Sequence, residues 1–221
     1  MNKAPVVAID GPSGSGKGTI ASRIAENLGF SLLDSGALYR VLGIACHRHG
    51  TDLSDPSAVA NLAKSIDIQF GLNGQGSVSL DGEDVSLAIR TDLGSDLASQ
   101  VGAIQAAREA LFQRQLAFRT EPGLVADGRD MGTTVFPDAT LKIFLTASLE
   151  ARAERRYKQL IGKGIDAILP ALLRDLKERD RRDSERTISP LKPAEDAFVI
   201  DTTDLTIDEV VKQVLEHYAA A

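Results

Sequence analysis

A glycine-rich turn between a short apolar strand and an amphipathic helix constrains this chain more than any other feature. The apolar run Val6–Asp10 predicts a buried strand, and residues 20–28 have the apolar spacing of a helix. Between them, glycines allow successive backbone N–H groups to converge on one anion, the helix N-terminus adds partial positive charge, and Lys17 can reach outer phosphates. The sequence therefore predicts a P-loop that binds a polyphosphate, formed by Gly11, Pro12, Ser13, Gly14, Ser15, Gly16, Lys17, Gly18 and Thr19.

The end of this loop departs from the commonest pattern. Ser or Thr usually follows the lysine and binds Mg²⁺, whereas Gly18 stands there and the hydroxyl comes one residue later, at Thr19. The alternative is a glycine-rich turn without a ligand, but such a turn has no use for a lysine at a helix start, where a cation opposes the helix dipole. The Gly-Lys-Gly-Thr ending resembles the loop of nucleoside monophosphate kinases and favours a small-molecule phosphotransferase over a GTPase switch.

Composition narrows the class of protein further. A chain of 221 residues with 43% hydrophobic content predicts one domain with appendages. The net charge of −6 argues against general nucleic-acid binding, so anions must be bound locally by arginines. The single cysteine, Cys46, lies in an apolar stretch, excludes an internal disulfide and is expected to pack in the core. No apolar run has the length of a membrane span or a signal peptide. We expect a soluble, cytoplasmic monomer that binds neither nucleic acid nor membranes.

Strands and helices alternate along the chain and predict an α/β fold with a parallel sheet covered on both faces. Residues 66–85 instead alternate in hydrophobicity around turns at 71–76 and 81–82, which predicts an inserted antiparallel β patch. The other predicted strands are 6–10, 30–34, 124–127, 141–145 and 198–201. The predicted helices are 20–28, 35–50, 56–63, 93–97, 101–118, one capped by Ser148, one at about 166–186 and one opened by a capping box at Thr206.

Two charged stretches hold candidate residues near predicted loops. Asp127 ends a predicted strand and Arg129 and Asp130 follow it, at the edge where parallel sheets bind ligands; a salt-bridged loop is the alternative. Arg152 and Arg155 precede a glycine-containing turn. They form either a mobile lid that closes over ATP or an exposed basic helix.

A third charged stretch, residues 178–186, is expected on a helix. A solvated helix face is the alternative interpretation, but Arg179, Asp183 and Arg186 recur at helical spacing and share one face. A guanidinium fork suits phosphate, and an ionised carboxylate suits the paired hydroxyls of a ribose.

Four segments together, residues 11–19, 32–40, 126–133 and 178–190, resemble the bacterial cytidylate kinase family in order and spacing. The Asp-Gly-Arg-Asp-Met-Gly-Thr segment is the most specific of them. The resemblance implies a P-loop NTP hydrolase-like, three-layer α/β/α core with a five-stranded parallel sheet. It also implies a monophosphate-binding domain, enlarged by the small antiparallel sheet, and a short helical lid. The expected ranges are 1–34, 110–150 and 166–221 for the core, 35–109 for the monophosphate-binding domain and 151–165 for the lid.

The resemblance also implies the reaction and its residues. ATP and CMP or dCMP would be the substrates and Mg²⁺ the cofactor. As a separate hypothesis, Asp127 orients a Mg²⁺-bound water. Asp130 would read the base, since its carboxylate complements the amino group of cytosine but faces a carbonyl in uracil. The catalytic groups would be Lys17, Arg129, Arg186, Arg152 and Arg155. The acceptor phosphate would be bound by Ser35, Arg40, Arg129 and Arg186, the sugar by Arg179 and Asp183, and the base by Ser99, Arg108 and Asp130.

Two other functions stay open. A kinase for UMP, AMP or shikimate would keep the P-loop but alter the acceptor pocket. A nucleotide-binding regulatory switch would need a guanine-reading Asn-Lys-x-Asp segment, and the sequence contains none.

Overall fold

The computed structural model describes residues 3–71, 76–162 and 164–221. A 3-10 turn, Ala88–Arg90, and a π-type turn, Met131–Val135, accompany the longer elements. The chain forms two compact units: the first is Met1–Leu33 with Phe118–Ala221, and the second is Asp34–Ala117. In chain order the strands and helices are β1 (Val6–Asp10), α1 (Lys17–Leu28), β2 (Ser31–Asp34), α2 (Ser35–His49), α3 (Pro56–Ser65), β3 (Ile68–Phe70), β4 (Val78–Leu80), β5 (Glu83–Asp84), α4 (Asp92–Val101), α5 (Gln105–Leu116), β6 (Leu124–Gly128), β7 (Leu141–Thr146), α6 (Leu149–Ile161), α7 (Leu169–Ser184), β8 (Phe198–Asp201) and α8 (Ile207–Ala219).

The first unit is built on a five-stranded sheet with the order β2-β6-β1-β7-β8. β1 pairs in parallel with β6 and β7, and β7 pairs in parallel with β8. Residues 6–9 of β1 are completely buried, as expected for the central strand of a sheet covered on both faces. The predicted five-stranded parallel sheet is confirmed.

Helices α1 and α8 pack together in the core of this unit. Ile20 and Ile24 of α1 share one buried cluster with Val210 and Val214 of α8 and with apolar residues of the central strands. The predicted capping box at Thr206 is confirmed and starts α8 with two satisfied backbone N–H groups.

The second unit combines helix pairs with a small sheet. α2 packs against α4, α3 packs against α5, and β3-β4-β5 form the predicted antiparallel patch. Its tight turn has Asp81 and Gly82 at positive φ, 51° and 84°. The other predicted turn, 71–76, lies largely outside the described residues. Cys46 is buried in α2, as predicted.

The structure differs from the predicted helix boundaries at two places. The predicted helix 101–118 is interrupted, because α4 ends at Val101 and Ile104 adopts an extended conformation before α5. α7 begins only at Leu169, because Pro170 has no backbone N–H and is tolerated only in the first turn of a helix. The second compact unit extends to Ala117, with α5 packed against α3. No helix in the described part of the chain has the length and apolar content to cross a membrane.

Candidate active site

The P-loop lies where the central strand of the first unit passes into α1. Gly11 has φ 149°, and a β-carbon there would lie 2.0 Å from the Leu145 carbonyl oxygen of β7. Gly16 is the left-handed N-cap of α1, and its carbonyl accepts from the Ile20 amide at 3.1 Å. Glycine adopts both conformations easily, whereas other residues adopt them at a cost in free energy. The two glycines therefore determine the shape of this loop.

Side chains from outside the loop bind two of its carbonyl groups. Arg152 donates from Nη1 to the Ser13 carbonyl at 3.0 Å, and the hydroxyl of Thr202 donates to the Ser15 carbonyl at 3.2 Å. The C=O and N–H of a trans peptide point in opposite directions, so the amides of the same two peptides point away from these side chains. Loop amides arranged in this way are available to bind phosphate oxygens.

Lys17 is buried at the start of α1, and its Nζ donates to the Pro12 carbonyl at 2.7 Å. Burial and, to a smaller extent, the charge of Arg129 lower the pKa of Lys17 to about 7, against the opposing effect of Asp127. A phosphate beside Nζ would supply the negative charge that favours the ammonium form. The loop is therefore complementary to an anion.

The turn after β6 is bound to the end of β1. Asp10 accepts the backbone N–H groups of Met131 and Gly132, each at 2.8 Å. Burial raises the pKa of Asp10 to about 7, although both hydrogen bonds act in the opposite direction. Sequence analysis did not single out Asp10, yet a carboxylate that ends an apolar strand next to a P-loop is a signal that could have identified it.

A carboxylate holds two of the predicted arginines side by side. Asp183 of α7 accepts from Nε of Arg129 at 3.1 Å and from Nη2 of Arg186 at 2.5 Å. Burial alone would raise the pKa of Asp183, but Arg129, Arg186 and Arg179 outweigh it and hold the pKa below its usual value. The structure thus brings these four predicted residues together, with Asp183 ionised among three guanidinium groups.

The arginines of α6 are not on an exposed basic helix, so that alternative is wrong for both of them. Arg152 is 5% exposed and makes a bidentate ion pair with Asp180 at 3.0 and 2.5 Å. Arg155 donates to the Thr202 hydroxyl at 3.0 Å and also to the carbonyls of Thr202 and Thr203. Sequence reasoning missed Asp180 and Thr202, because nothing local distinguishes them from their polar neighbours.

The remaining predicted residues belong to the second unit. Ser35 is buried and donates to the side-chain oxygen of Gln115 at 2.9 Å, and Arg40 forms an ion pair with Asp34 at 3.4 Å. Ser99 is also buried. The guanidinium of Arg108 lies 5.8 Å from the centre of the Tyr39 ring, and Nη1 donates to the Gly102 carbonyl at 3.5 Å.

A central P-loop strand, a buried lysine and an arginine cluster define a P-loop kinase. The family model "Cytidylate kinase" matches residues 7–220. The cytidylate kinase of Cupriavidus necator is 58% identical over 220 residues, covering 100% of this chain and 98% of the relative, and that of Stutzerimonas stutzeri is 56% identical over 222 residues, covering 99% and 97%. The chain belongs to the cytidylate kinase family, which confirms the resemblance stated above. A solved structure of an uncharacterized protein from Eubacterium ventriosum shares the fold, with a TM-score of 0.50 at 13% identity over 98% of this chain and 99% of the other.

Proposed function

We propose that this protein transfers the terminal phosphoryl group of ATP to the phosphate of CMP or dCMP, giving ADP and the cytidine diphosphate. The observation that carries the proposal is the P-loop of the first unit. Lys17 is buried there, and the positive charge of Arg129 acts on it. Asp183 binds both Arg129 and Arg186 and so holds these two arginines together. Membership of the cytidylate kinase family supports the choice of acceptor.

In the proposed reaction an oxygen of the acceptor phosphate attacks the terminal phosphorus of ATP. A new P–O bond forms there while the bond to the bridging oxygen breaks, and the electron pair stays on ADP. No general base is required, because a phosphate monoester with a second pKa of about 6 is largely a dianion at neutral pH. The obstacle is repulsion between two polyanions, and Lys17, Arg129 and Arg186 would offset it.

The proposed roles of the remaining residues follow the two nucleotides. Arg152 and Arg155 would act on the ATP side, since Arg152 binds a P-loop carbonyl and Arg155 binds the chain that follows β8. Residues 151–165 would form the lid, and the second unit would serve as the monophosphate-binding domain. On the acceptor side, we assign the phosphate to Ser35, Arg40, Arg129 and Arg186, the sugar to Arg179 and Asp183, and the base to Ser99, Arg108 and Asp130.

Asp127 fits a site for Mg²⁺ that binds through water. Its carboxylate is buried beside α1, and a β-carbon at Gly18 would lie 3.5 Å from Oδ2. Among the described residues no group of three or more metal-ligating side chains is assembled, which suits a cation bound mainly by nucleotide phosphates and water. The bound ion would supply positive charge to the transferring phosphoryl group.

The proposal is tested by phosphorylation of CMP, dCMP, UMP and AMP with labelled ATP. We expect the wild type to prefer the cytosine nucleotides and Asp130→Ala to lose that preference, because Asp130 is proposed to accept from the cytosine amino group. Asp138→Ala is the control, because it removes a half-exposed carboxylate that pairs with Arg119 and has no proposed role in binding either nucleotide. A wild type that prefers another acceptor would contradict the proposal.

A further inference from the structure

The side chain of Asp10 joins the P-loop strand to the turn after β6. Asp10 is the last residue of β1, and its carboxylate is buried. Oδ1 accepts from Met131 N and Oδ2 from Gly132 N, across sequence separations of 121 and 122 residues. Both oxygens of a buried carboxylate thus bind consecutive amides of a distant turn. This contact connects two parts of the proposed active site.

Asp10 fixes both ends of a two-residue segment. Gly128 is paired with Asp10 in the ladder between β1 and β6. Met131 is bound by the carboxylate of the same residue. Only Arg129 and Asp130 lie between these two attachment points. Their backbone cannot move along the sheet unless the ladder or the side-chain contact breaks.

The surroundings restrict this turn further. A β-carbon at Gly132 would lie 3.2 Å from Cγ and Cδ of Lys142, and 3.5 Å from Oδ2 of Asp10. The carbonyl of Asp130 accepts from Thr134 N at 2.9 Å and from Val135 N at 3.2 Å, and the second bond closes the π-type turn. The turn therefore has close neighbours on several sides, and Asp10 is the one whose side chain accepts hydrogen bonds from its amides.

We infer that Asp10 is a positioning residue, which sets the location of Arg129 and Asp130 relative to the P-loop and so determines affinity and selectivity for the acceptor nucleotide. It acts through the backbone of the turn. The P-loop begins one residue after Asp10. The residues that bind the phosphoryl donor and those that bind the acceptor nucleotide are therefore both positioned by the same end of β1. The inference rests on the proposed function for the roles of Arg129 and Asp130.

The variant Asp10→Asn tests this inference, because its amide presents one oxygen and one NH₂ group to two N–H donors. Initial rates are measured with acceptor and ATP varied separately, with Asp138→Asn as the matched control. Because one buried N–H group loses its acceptor, we expect KM for CMP to rise about tenfold or more, while KM for ATP changes less than about twofold. We also expect the ratio of kcat/KM for CMP over UMP to fall, whereas the control keeps both values.

An unchanged KM for CMP and an unchanged selectivity ratio in folded Asp10→Asn would overturn the inference. Equal increases in both KM values would also overturn it, since they indicate a general loss of structure. If Asp10→Asn does not fold, Asp10→Glu keeps both acceptor oxygens but moves them by one methylene group, and the same selective rise in acceptor KM is expected. If the wild type does not phosphorylate CMP, the proposed function fails, and the two KM values are then compared with its best acceptor.

Discussion

Lys17 is expected to take up a proton when ATP binds. Burial and the neighbouring charge of Arg129 lower its pKa to about 7, and its nearest hydrogen-bond partner is the neutral carbonyl of Pro12 at 2.7 Å. The phosphates of ATP would place several negative charges beside Nζ. Opposite charges favour the ammonium form, so the pKa of Lys17 should return to about 10 or above in the complex.

The size of this uptake follows from the two pKa values. At pH 8, one unit above the pKa of the free protein, about one tenth of Lys17 carries its proton, so ATP binding should take up about 0.9 proton. At pH 6 most of Lys17 is already protonated, and the uptake should fall to about 0.1 proton. The terminal phosphate of ATP, with a pKa of about 6, is ionised at pH 8 and contributes little there.

Isothermal titration calorimetry measures the uptake directly. A non-hydrolysable ATP analogue is titrated at pH 8 in buffers with different ionisation enthalpies, and the slope of the observed enthalpy gives the number of protons. Lys17→Arg should lose most of this uptake, because a guanidinium stays charged in both states, and the remainder comes from the buried Asp10, whose pKa is also about 7. Lys212→Met removes an exposed lysine of α8 and should match the wild type. A wild-type uptake near zero at pH 8 would refute the argument.

Three further predictions concern the P-loop and α7. Gly11→Ala should abolish nucleotide binding, because its β-carbon would meet a strand carbonyl. Gly29→Ala is the control, since its β-carbon would have no neighbour within 4 Å, and thermal denaturation should show that the free energy of unfolding falls by only about 1 kcal/mol. Arg186→Ala should lower kcat about 10³-fold, and the exposed Arg181→Ala should leave it unchanged. Asp183→Asn should destabilise the fold by about 3 kcal/mol at pH 7. The pKa of Asp183 is depressed in the folded protein, so its contribution to the free energy of unfolding is present above about pH 4 and is lost on acidification. In denaturant titrations, the free energy of unfolding of this variant should therefore fall less on acidification than that of the wild type.

Features that depend on neighbouring residues could be predicted from the sequence. The predicted caps at Ser148 and Thr206 are confirmed because a cap and its backbone partners lie within three residues. The glycine pattern of the P-loop likewise identified a backbone conformation that only glycine adopts easily. The five strands of the parallel sheet could be predicted because short apolar runs in an α/β protein seldom form anything other than buried strands.

Contacts between distant residues could not be predicted in the same way. The sequence offers several acidic residues as possible ion-pair partners of Arg152, and the packing of α6 against α7 selects Asp180. Thr202 occupies an ordinary position after a strand, and the fold alone brings its hydroxyl to the Ser15 carbonyl. Charge pattern locates such residues on an element, but the partner depends on the tertiary structure.

Helix α7 explains how an acidic protein can keep several arginines together in the absence of a phosphate. Asp180 and Asp183 lie three residues apart and therefore on neighbouring positions of one helix face. Asp180 holds Arg152, which follows β7 and reaches the P-loop, while Asp183 holds Arg129, which follows β6. A single helix thus orients guanidinium groups from two strand ends and offsets their mutual repulsion before any ligand arrives. Groups that are oriented in advance need no reorganisation during phosphoryl transfer, which is the condition for electrostatic catalysis.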